Sequence, residues 1–249
     1  MDNFGIIIEA RTGSTRLPNK VLLKLGKITV LEFLIKRLKP ILKKYKSKII
    51  VATTLEDEDK KIIEIAKKTN VYSYRGSSKN VLLRVIKSAE KFKIKNIIRI
   101  TSDCPLIDLD IIDQAIQVFK NNKVDIVTNG HVRSYPDGMD VEVVKLKALK
   151  KNLKLSGKNK ELLEHLTLGI KKYSREFSKI NLIAPQNLFY PKIEITLDET
   201  RDYLLISKIY KHFKDNKKEL NCQNIINFLK RNKKIYNINK KVKRTIYSV

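Results

Sequence analysis

The sequence predicts an α/β protein built around a mostly parallel central sheet. Short runs of apolar, β-branched residues alternate with segments whose apolar residues recur at helical spacing, which is typical of repeated strand-helix units. The chain has 249 residues, 42% of them hydrophobic, with only 8 glycines and 6 prolines, so it can bury a substantial core. These observations favour a folded domain and exclude a disordered or low-complexity chain.

Four buried strands are predicted in the first half of the chain. Each is a short run rich in Ile or Val that ends in small or polar residues. The runs cover residues 4–9, 48–53, 96–101 and 124–128. Because helical segments separate them, these strands should pair in parallel, and the loops after them should carry the chemistry.

The first helix has the clearest start signal. Thr29 and Glu32 have the spacing of a capping box, and apolar residues recur on one face from Leu31 to Leu38. We expect Pro40 to end this helix, because proline lacks the amide hydrogen that an interior position needs. Further helices are predicted over residues 57–68, 79–92 and 109–121.

The pattern is looser after residue 130. A strand is predicted over residues 139–145, and helices near 145–153, 160–171, 200–213 and 223–231. No linker rich in Pro, Gly or Ser separates the halves, so we expect one domain over residues 1–232, divided near residue 128, and a frayed basic tail over 233–249.

The formal net charge of +27 is the most unusual feature of the composition. Such a charge attracts polyanions, but the lysines are spread along the whole chain, and aromatic residues are only 7% with no Trp. A single-strand binder would interleave aromatic and basic residues. We therefore favour a solvated Lys-rich surface and expect no specific nucleic-acid partner.

Membrane and secreted proteins are also disfavoured. No apolar stretch approaches the ~20 residues of a membrane span, and the start of the chain lacks a signal-peptide pattern. Cys104 and Cys222 form neither a disulfide framework nor a metal-binding spacing. The expected location is the cytoplasm.

The loop after the first strand carries the strongest chemical signal. Three cations, Arg11, Arg16 and Lys20, accompany Gly13 and Ser14 within a few residues. Glycine lets main-chain amides approach phosphate oxygens, while guanidinium and ammonium groups neutralise their charge. The loop matches neither common glycine-rich phosphate motif. It predicts a triphosphate site, although a solvated basic turn has the same composition.

The loop also resembles the opening motif of the cytidylyltransferases that activate acidic sugars, the family of the spore-coat polysaccharide enzymes and the CMP-Kdo synthetases. Further resemblance follows in family order along nearly the whole chain. The matching segments are residues 10–20, 51–54, 74–84, 99–108, 135–143, 164–167 and 196–203. The spore-coat branch is the closer match.

This resemblance implies a Rossmann-like nucleotide-diphospho-sugar transferase fold. It also implies the transfer of CMP from CTP to an acidic sugar, of the Kdo or nonulosonate kind, with release of pyrophosphate. Residues 1–128 would then bind the nucleotide, and residues 129–232 would bind the acceptor and form a homodimer. The implied nucleotide-binding residues are Ala10, Arg11, Gly13, Ser14, Arg16, Lys20, Thr53, Arg75, Gly76, Ser77, Thr101 and Asp103.

Catalysis and metal binding are assigned through the same motifs. Arg11, Lys20 and Asp103 would be the catalytic residues, while Asp103 and Asp198 would bind Mg²⁺, the implied cofactor. Hard carboxylate oxygens together with substrate phosphates suit this ion. Without the resemblance, each aspartate would be read as an ordinary carboxylate at a strand end or turn.

The acceptor is expected to bind at the segment around a Pro-Asp-Gly turn. The implied residues are Tyr135, Asp137, Gly138, Asp140, Glu142 and His165, the last next to Glu164. Pro-Asp-Gly is also a plain turn signal. His131 and Arg133, just before the turn, are alternative partners for a sugar carboxylate.

The sequence departs from the spore-coat pattern at two positions. Asn80 stands where that branch usually has Asp, and Ser102 stands where it usually has Gly. The side chain of Ser102 leaves the details of base contact open.

Two other functions remain open from the sequence. One is a nucleotidyltransferase that uses another nucleotide or a sugar or alcohol phosphate. The other is a basic nucleic-acid-binding protein, whose affinity would persist after Arg11, Arg16 and Lys20 are neutralised.

Overall fold

The computed structural model describes residues 3–244 and contains a seven-stranded sheet and a two-stranded hairpin. The strands are Phe4–Glu9 (β1), Lys24–Leu25 (β2), Ile28–Thr29 (β3), Lys48–Thr54 (β4), Tyr72–Gly76 (β5), Asn96–Thr101 (β6), Ile126–Thr128 (β7), Glu142–Lys145 (β8) and Lys179–Asn181 (β9). The large sheet has the order β5-β4-β1-β6-β8-β7-β9, and β2 pairs with β3. Only β8 runs antiparallel to its neighbours in the large sheet. The predicted fold class, α/β with a mostly parallel sheet, is confirmed.

The helices connect the strands and cover both faces of the sheet. They are Val30–Lys44 (α1), Lys60–Lys68 (α2), Val81–Lys91 (α3), Leu109–Asn121 (α4), Leu146–Ser156 (α5), Lys160–Glu164 (α6), Leu168–Lys172 (α7), Thr200–Asp215 (α8), Cys222–Arg231 (α9) and Lys233–Tyr236 (α10). None of the helices described within residues 3–244 is long and apolar enough to cross a membrane.

Alternating side chains of the strands build two cores. Ile6 and Ile8 of β1 face the core that α1, α2, α4, α8 and α9 share, whereas Ile7 faces the core under α3, α5 and α7. Because successive strand residues point to opposite faces, a strand buried on both sides reads as a continuous apolar run. Such runs were the signal that predicted β1, β4 and β6.

The start of α1 is confirmed, but its predicted end is wrong. The Glu32 amide donates to Thr29 Oγ1 at 3.1 Å, and the Thr29 amide donates to Glu32 Oε2 at 2.8 Å, which completes the capping box. The helix then continues through Pro40 to Lys44. Pro40 and Lys36 one turn earlier are exposed, so water can reach the carbonyl that loses its partner.

Two further expectations are corrected in the second half. The helix predicted over residues 160–171 is broken into α6 and α7 by a short segment around His165. The tail predicted to fray from Lys233 instead forms α10, and Asn239 beyond it is buried. Residues 245–249 of that tail lie outside the described residues.

Candidate active site

The loops after β1 and β6 meet at the carboxyl edge of the sheet. These parallel strands end side by side, with Glu9 paired to Thr101, so the segments that follow them face a common cleft. The cleft has a volume of about 390 Å³. Its lining residues are Glu9, Ala10, Arg11, Ser14, Thr15, Arg16, Lys20, Val81, Arg84, Arg99, Thr101, Ser102, Asp103, Glu164, His165 and Asp198. We call it the nucleotide cleft.

Asp59 fixes the start of the loop that contains the predicted phosphate-binding residues. Its Oδ1 accepts hydrogen bonds from the amide and the hydroxyl of Thr12, both at 2.7 Å. Its Oδ2 accepts from the amide and the hydroxyl of Thr54 at the end of β4. Burial would raise the pKa of Asp59, but these bonds hold it below its usual value. The sequence around Asp59 does not indicate this role, because the carboxylate binds a loop that lies 47 positions away.

Lys20 lies between the two aspartates predicted to bind metal. Its Nζ is 2.9 Å from Asp103 Oδ2 and 3.0 Å from Asp198 Oδ1. Burial alone would lower the pKa of Lys20, but Asp103 and Asp198 raise it above its usual value. Burial would likewise raise the pKa of Asp103, but Lys20 and nearby groups lower it. The lysine is therefore held protonated and the carboxylate ionised.

A main-chain hydrogen bond brings Asp198 to Asp103. The amide of Leu197 donates to the carbonyl of Asp103 at 2.8 Å. The amide of Asp198 then donates to Asp202 Oδ2 at 3.1 Å, at the start of α8. The structure thus places both predicted carboxylates against one ammonium group, although 95 positions separate them in the chain.

Two arginines of the cleft, Arg11 and Arg16, form ion pairs with carboxylates of the same chain. Arg11 contacts Glu164 at 3.2 Å, and Arg16 contacts Asp198 at 3.1 Å. Both arginines are more than a third exposed, so these pairs are screened by water and can exchange partners. Gly13 has open space beside its Cα, which leaves its main chain accessible.

Arg75 and Gly76, two of the residues expected to bind the nucleotide, do not line the cleft. Arg75 donates to the carbonyls of Thr54, Leu55 and Glu56, which holds the loop after β4. A Cβ on Gly76 would lie 2.9 Å from the Tyr74 ring and 3.0 Å from Arg84. These contacts give both residues a structural role.

The structure also places two further residues expected to bind the nucleotide, Thr53 and Ser77, and the two residues that depart from the spore-coat pattern, Asn80 and Ser102. Thr53 is fully buried, and Ser77 accepts from the amide of Asn80 at 3.0 Å. Asn80 itself caps α3 through Leu83 at 2.8 Å, a bond that Asp would also make. Ser102 lines the cleft without a positive φ, so its backbone does not require glycine.

A second cleft of about 750 Å³ adjoins the first, and we call it the acceptor cleft. Asp137, Asp140, Glu142 and His165, four of the residues expected to bind the acceptor, line it together. Some of its other lining residues, such as Lys171 and Arg244, were given no role from the sequence. The full lining is Arg16, Arg99, Thr101, Asp103, Thr128, Gly130, His131, Arg133, Asp137, Asp140, Glu142, His165, Leu166, Thr167, Leu168, Lys171, Glu194, Thr196, Asp198 and Arg244.

Two predicted acceptor residues do not line this cleft. Tyr135 is buried in the core, and its hydroxyl donates to Gln114 at 3.2 Å. Gly138 has φ +99°, and a Cβ there would lie 2.8 Å from the main chain of Ile195. Gly138 therefore shapes the turn between Asp137 and Asp140.

The carboxyl groups of Asp137 and Asp140 lie close enough to influence each other. Arg133 contacts Asp137 Oδ2 at 2.8 Å, and Thr196 donates to its Oδ1 at 2.9 Å. Burial and the neighbouring Asp137 raise the pKa of Asp140 to about 7. Burial also lowers the pKa of His131 and of His165. Near neutral pH this cleft presents a mixture of neutral and charged donors and acceptors.

Arg99 and the cluster formed by Lys20, Asp103 and Asp198 lie where the two clefts meet. Arg99 donates to Glu9 at 2.5 Å and to Glu142 at 3.0 Å. Burial alone would lower its pKa, but the two glutamates raise it above the usual value. Both clefts share Arg16, Arg99, Thr101, Asp103, His165 and Asp198. A molecule in each cleft would therefore meet its neighbour beside Asp103 and Asp198.

Comparison with known proteins adds relatives along nearly the whole chain. A family model described as cytidylyltransferase matches residues 5–242. The chain is 37% identical over 241 residues to an uncharacterized protein of Methanocaldococcus jannaschii, covering 97% of this chain and 96% of the relative. It is 30% identical over 234 residues to the spore coat polysaccharide biosynthesis protein SpsF of Bacillus subtilis, covering 93% and 96% respectively.

Solved structures agree with this relationship. A cytidylyltransferase from Leptospira borgpetersenii serovar Hardjo-bovis matches with a TM-score of 0.85 and 30% identity over 100% of both chains. A CMP:2-keto-3-deoxy-manno-octonic acid synthetase complexed with CTP matches with a TM-score of 0.62 and 12% identity, covering 86% of this chain and 99% of that chain, which is a likeness of fold alone. The chain belongs to the cytidylyltransferase family and is an enzyme of the nucleotidyltransferase type.

Proposed function

We propose that this enzyme transfers CMP from CTP to an acidic sugar and releases pyrophosphate, in the biosynthesis of a surface polysaccharide or glycan. The observation that carries the proposal is the junction of two polar clefts at Asp103, Asp198 and Lys20. The names of the related proteins support it, since they include a cytidylyltransferase, a spore coat polysaccharide protein and a synthetase that joins CMP to an acidic sugar.

The nucleotide cleft is suited to hold a triphosphate. Arg11, Arg16 and Lys20 exchange their carboxylate partners for phosphate oxygens, which also accept charge-assisted hydrogen bonds from such donors. Lys20 stays protonated during this exchange, because the phosphates replace the negative charge of Asp103 and Asp198 that raises its pKa. The three cations neutralise charge on the β- and γ-phosphates and so stabilise pyrophosphate as the leaving group.

The acceptor cleft positions the sugar. A sugar hydroxyl oxygen attacks the α-phosphorus in line and gives its proton to water in the open cleft, while the bond from that phosphorus to the bridging oxygen of the β-phosphate breaks. Asp137, Asp140 and Glu142 accept hydrogen bonds from sugar hydroxyl groups, while Arg133 pairs with the sugar carboxylate. Holding both substrates at the junction supplies much of the rate enhancement, because it replaces a bimolecular encounter with a fixed geometry.

The residues at the junction fit Mg²⁺. Asp103 and Asp198 already share one cationic group, and their hard oxygen atoms are ligands that this ion prefers. No group of three or more His, Cys, Asp or Glu side chains within residues 3–244 is placed to hold a metal without further ligands. Phosphate oxygens would complete the coordination, and the bound ion would offset negative charge on the phosphates.

Thermal unfolding tests the nucleotide half of the proposal without an acceptor. We expect CTP with Mg²⁺ to raise the Tm by about 5–10 °C at 100 times its Kd. UTP, ATP and GTP should raise it less, and the CTP shift should fade in Asp103→Asn. Equal shifts with all four nucleotides would contradict a CTP site and indicate unspecific binding to the basic surface.

Pyrophosphate release tests the acceptor half. The wild type should release pyrophosphate from CTP with a Kdo-like or nonulosonate acid, and Asp103→Asn should lose this turnover while remaining folded. Release with a sugar phosphate or alcohol phosphate but with no acidic sugar would contradict the proposed acceptor class.

A further inference from the structure

The cations that line the nucleotide cleft differ in one respect. Four of them form an ion pair with at least one carboxylate of the same chain, and these are Arg11, Arg16, Lys20 and Arg99. Arg84 of α3 lines the same cleft, and over residues 3–244 no carboxylate lies within ion-pair distance of it. It is the exception among the five.

Arg84 is also the least exposed of these five cations. Only 3% of the residue is exposed. Its Nη1 donates to the carbonyl of Ser77 at 2.6 Å, whereas its buried Nε has no hydrogen-bond partner within the described part of the chain. Burial lowers its pKa, and the charge of Arg11 lowers it further while Glu9 and Asp59 oppose the shift. A buried charge without a counterion is unfavourable, so a purely structural role would be served better by an apolar side chain.

We propose that Arg84 binds the triphosphate of the nucleotide and supplies the cation that no carboxylate of the cleft neutralises. This inference rests on the proposed binding of CTP and adds a contact residue to it. A dehydrated guanidinium group gains most from an anion with several acceptor oxygens, which a triphosphate provides. Val81, the first residue of α3, lines the same space, so the positive end of the helix dipole favours the same ligand.

The test compares Arg84→Met with Arg37→Met. Arg37 is a matched control, because it is half-buried, its pKa is also lowered by burial, and it donates to the carbonyls of Ile107 and Leu220 while lining neither cleft. Calorimetry gives the Kd for CTP and for inorganic tripolyphosphate, and urea unfolding without ligand gives the stability of each variant.

We expect Arg84→Met to weaken the binding of both CTP and tripolyphosphate at least tenfold, with a urea midpoint equal to or above that of the wild type. Arg37→Met should lower the midpoint and leave both affinities within twofold. Affinities within twofold of wild type in Arg84→Met would overturn the inference. If the wild type shows no selective affinity for CTP, the proposed function fails first, and tripolyphosphate alone still tests Arg84.

A second variant decides the case in which Arg84→Met loses both affinity and stability. Arg84→Lys keeps the charge but loses the planar fork that reaches Ser77. We expect it to bind tripolyphosphate within about threefold of the wild type. Binding by Arg84→Lys no tighter than by Arg84→Met would show that Arg84 acts only through the local structure.

Discussion

Lys20 offsets the repulsion between the carboxylates of Asp103 and Asp198 in the absence of a ligand. Its ammonium group contacts both carboxylates, and only 13% of its side chain is exposed. A nucleotide must therefore compete with internal ion pairs, and the bound state exchanges one set of charge-assisted bonds for another. For this reason, we expect the affinity for a triphosphate to depend on the geometry of its phosphates more than on the overall charge of +27.

Replacing Lys20 with Met should slow catalysis more than it harms folding. The change removes a donor from the leaving group and leaves two carboxylates facing each other, so kcat should fall by about 10²–10³-fold. Steady-state pyrophosphate release at saturating CTP measures the change. Lys27→Met, on the exposed turn between β2 and β3, is the control and should keep the wild-type rate. A Lys20→Met kcat within threefold of wild type would contradict the role.

Asp140 should make the protein less stable as the pH rises toward neutral, which is opposite to the effect of a carboxyl group whose pKa is lowered. Its pKa is raised from 3.8 to about 7 by burial and by Asp137, so the folded state holds a proton that the unfolded state has lost. Its contribution is fully present below about pH 4 and is lost as the pH rises to about 7. Relative to Asp140→Asn, the wild type should therefore lose stability between pH 5 and pH 8. Urea midpoints at the two pH values measure this, and a constant difference would exclude the shift.

Among the elements, α1 shows where local rules and tertiary structure disagree. The capping box and the apolar face predicted its start correctly, because both depend on residues within one or two turns. Its end was predicted at Pro40, yet buried residues as far as Ile41 pack against the core and carry the helix past the proline. Burial of an apolar face outweighed one missing hydrogen bond on the solvent side.

Pro40→Ala should accordingly stabilise the protein. The alanine restores an amide donor in the helix and removes the clash with the preceding turn, which together exceed the gain in unfolded-state entropy. We expect the free energy of unfolding to rise by about 1 kcal/mol or more, since Pro is about 3 kcal/mol less favourable than Ala in a helix interior. Urea unfolding measures it, and an unchanged or lower midpoint would mean that the helix has fully adapted to Pro40.

The link between β1 and β4 can be tested through Asp59. Asn at this position presents one acceptor oxygen where the carboxylate serves four donors of Thr12 and Thr54. Asp59→Asn should lower the free energy of unfolding by about 1–3 kcal/mol and raise the KM for CTP severalfold, because the phosphate loop loses its anchor.

Asp57→Asn is the matched control for Asp59→Asn. Asp57 lies on the same short turn, but its side chain is 81% exposed and, among residues 3–244, forms an ion pair with Lys60 alone. The free energy of unfolding of Asp57→Asn and its KM for CTP should both stay at wild-type values. If Asp59→Asn behaved like this control, the loop would be held by other contacts.

At the scale of the whole molecule, the chain returns to the site after residue 233. Arg244 contacts Asp202 at 2.7 Å and Glu194 at 2.7 Å, and Asn239 donates to Asp202 at 2.8 Å. Asp202 is fully buried and holds the amide of Asp198, so this last segment supports the cluster at the junction of the clefts.

Arg244→Gln should therefore impair both stability and turnover. It leaves the buried Asp202 without its guanidinium partner, which should lower the free energy of unfolding by about 3 kcal/mol. Turnover should fall because Asp198 loses its support. Arg231→Gln, on the exposed side of α9, is the control and should change neither quantity. Wild-type stability in Arg244→Gln would show that the segment contributes nothing to the fold.

The sequence predicted the parts of the fold and site that depend on neighbouring residues. The predicted bounds of β1, β6 and α4 agree with the structure, and residues of the loop after β1 line the nucleotide cleft. The sequence did not predict the contacts between segments that are distant along the chain. The sequence did not show that Arg75 donates to main-chain carbonyls or that Tyr135 is buried, because burial and direction are set by the packing of the whole chain.

The cluster around Lys20 also bears on how the protein acquires activity. Lys20 precedes Asp103 by 83 positions and Asp198 by 178, so the site closes only after early, middle and late parts of the chain have docked. Contacts of such long range form late, since the chain must first lose the entropy of large loops. During refolding, helical signal should consequently return before turnover does, and turnover reports the arrival of the final long-range contacts.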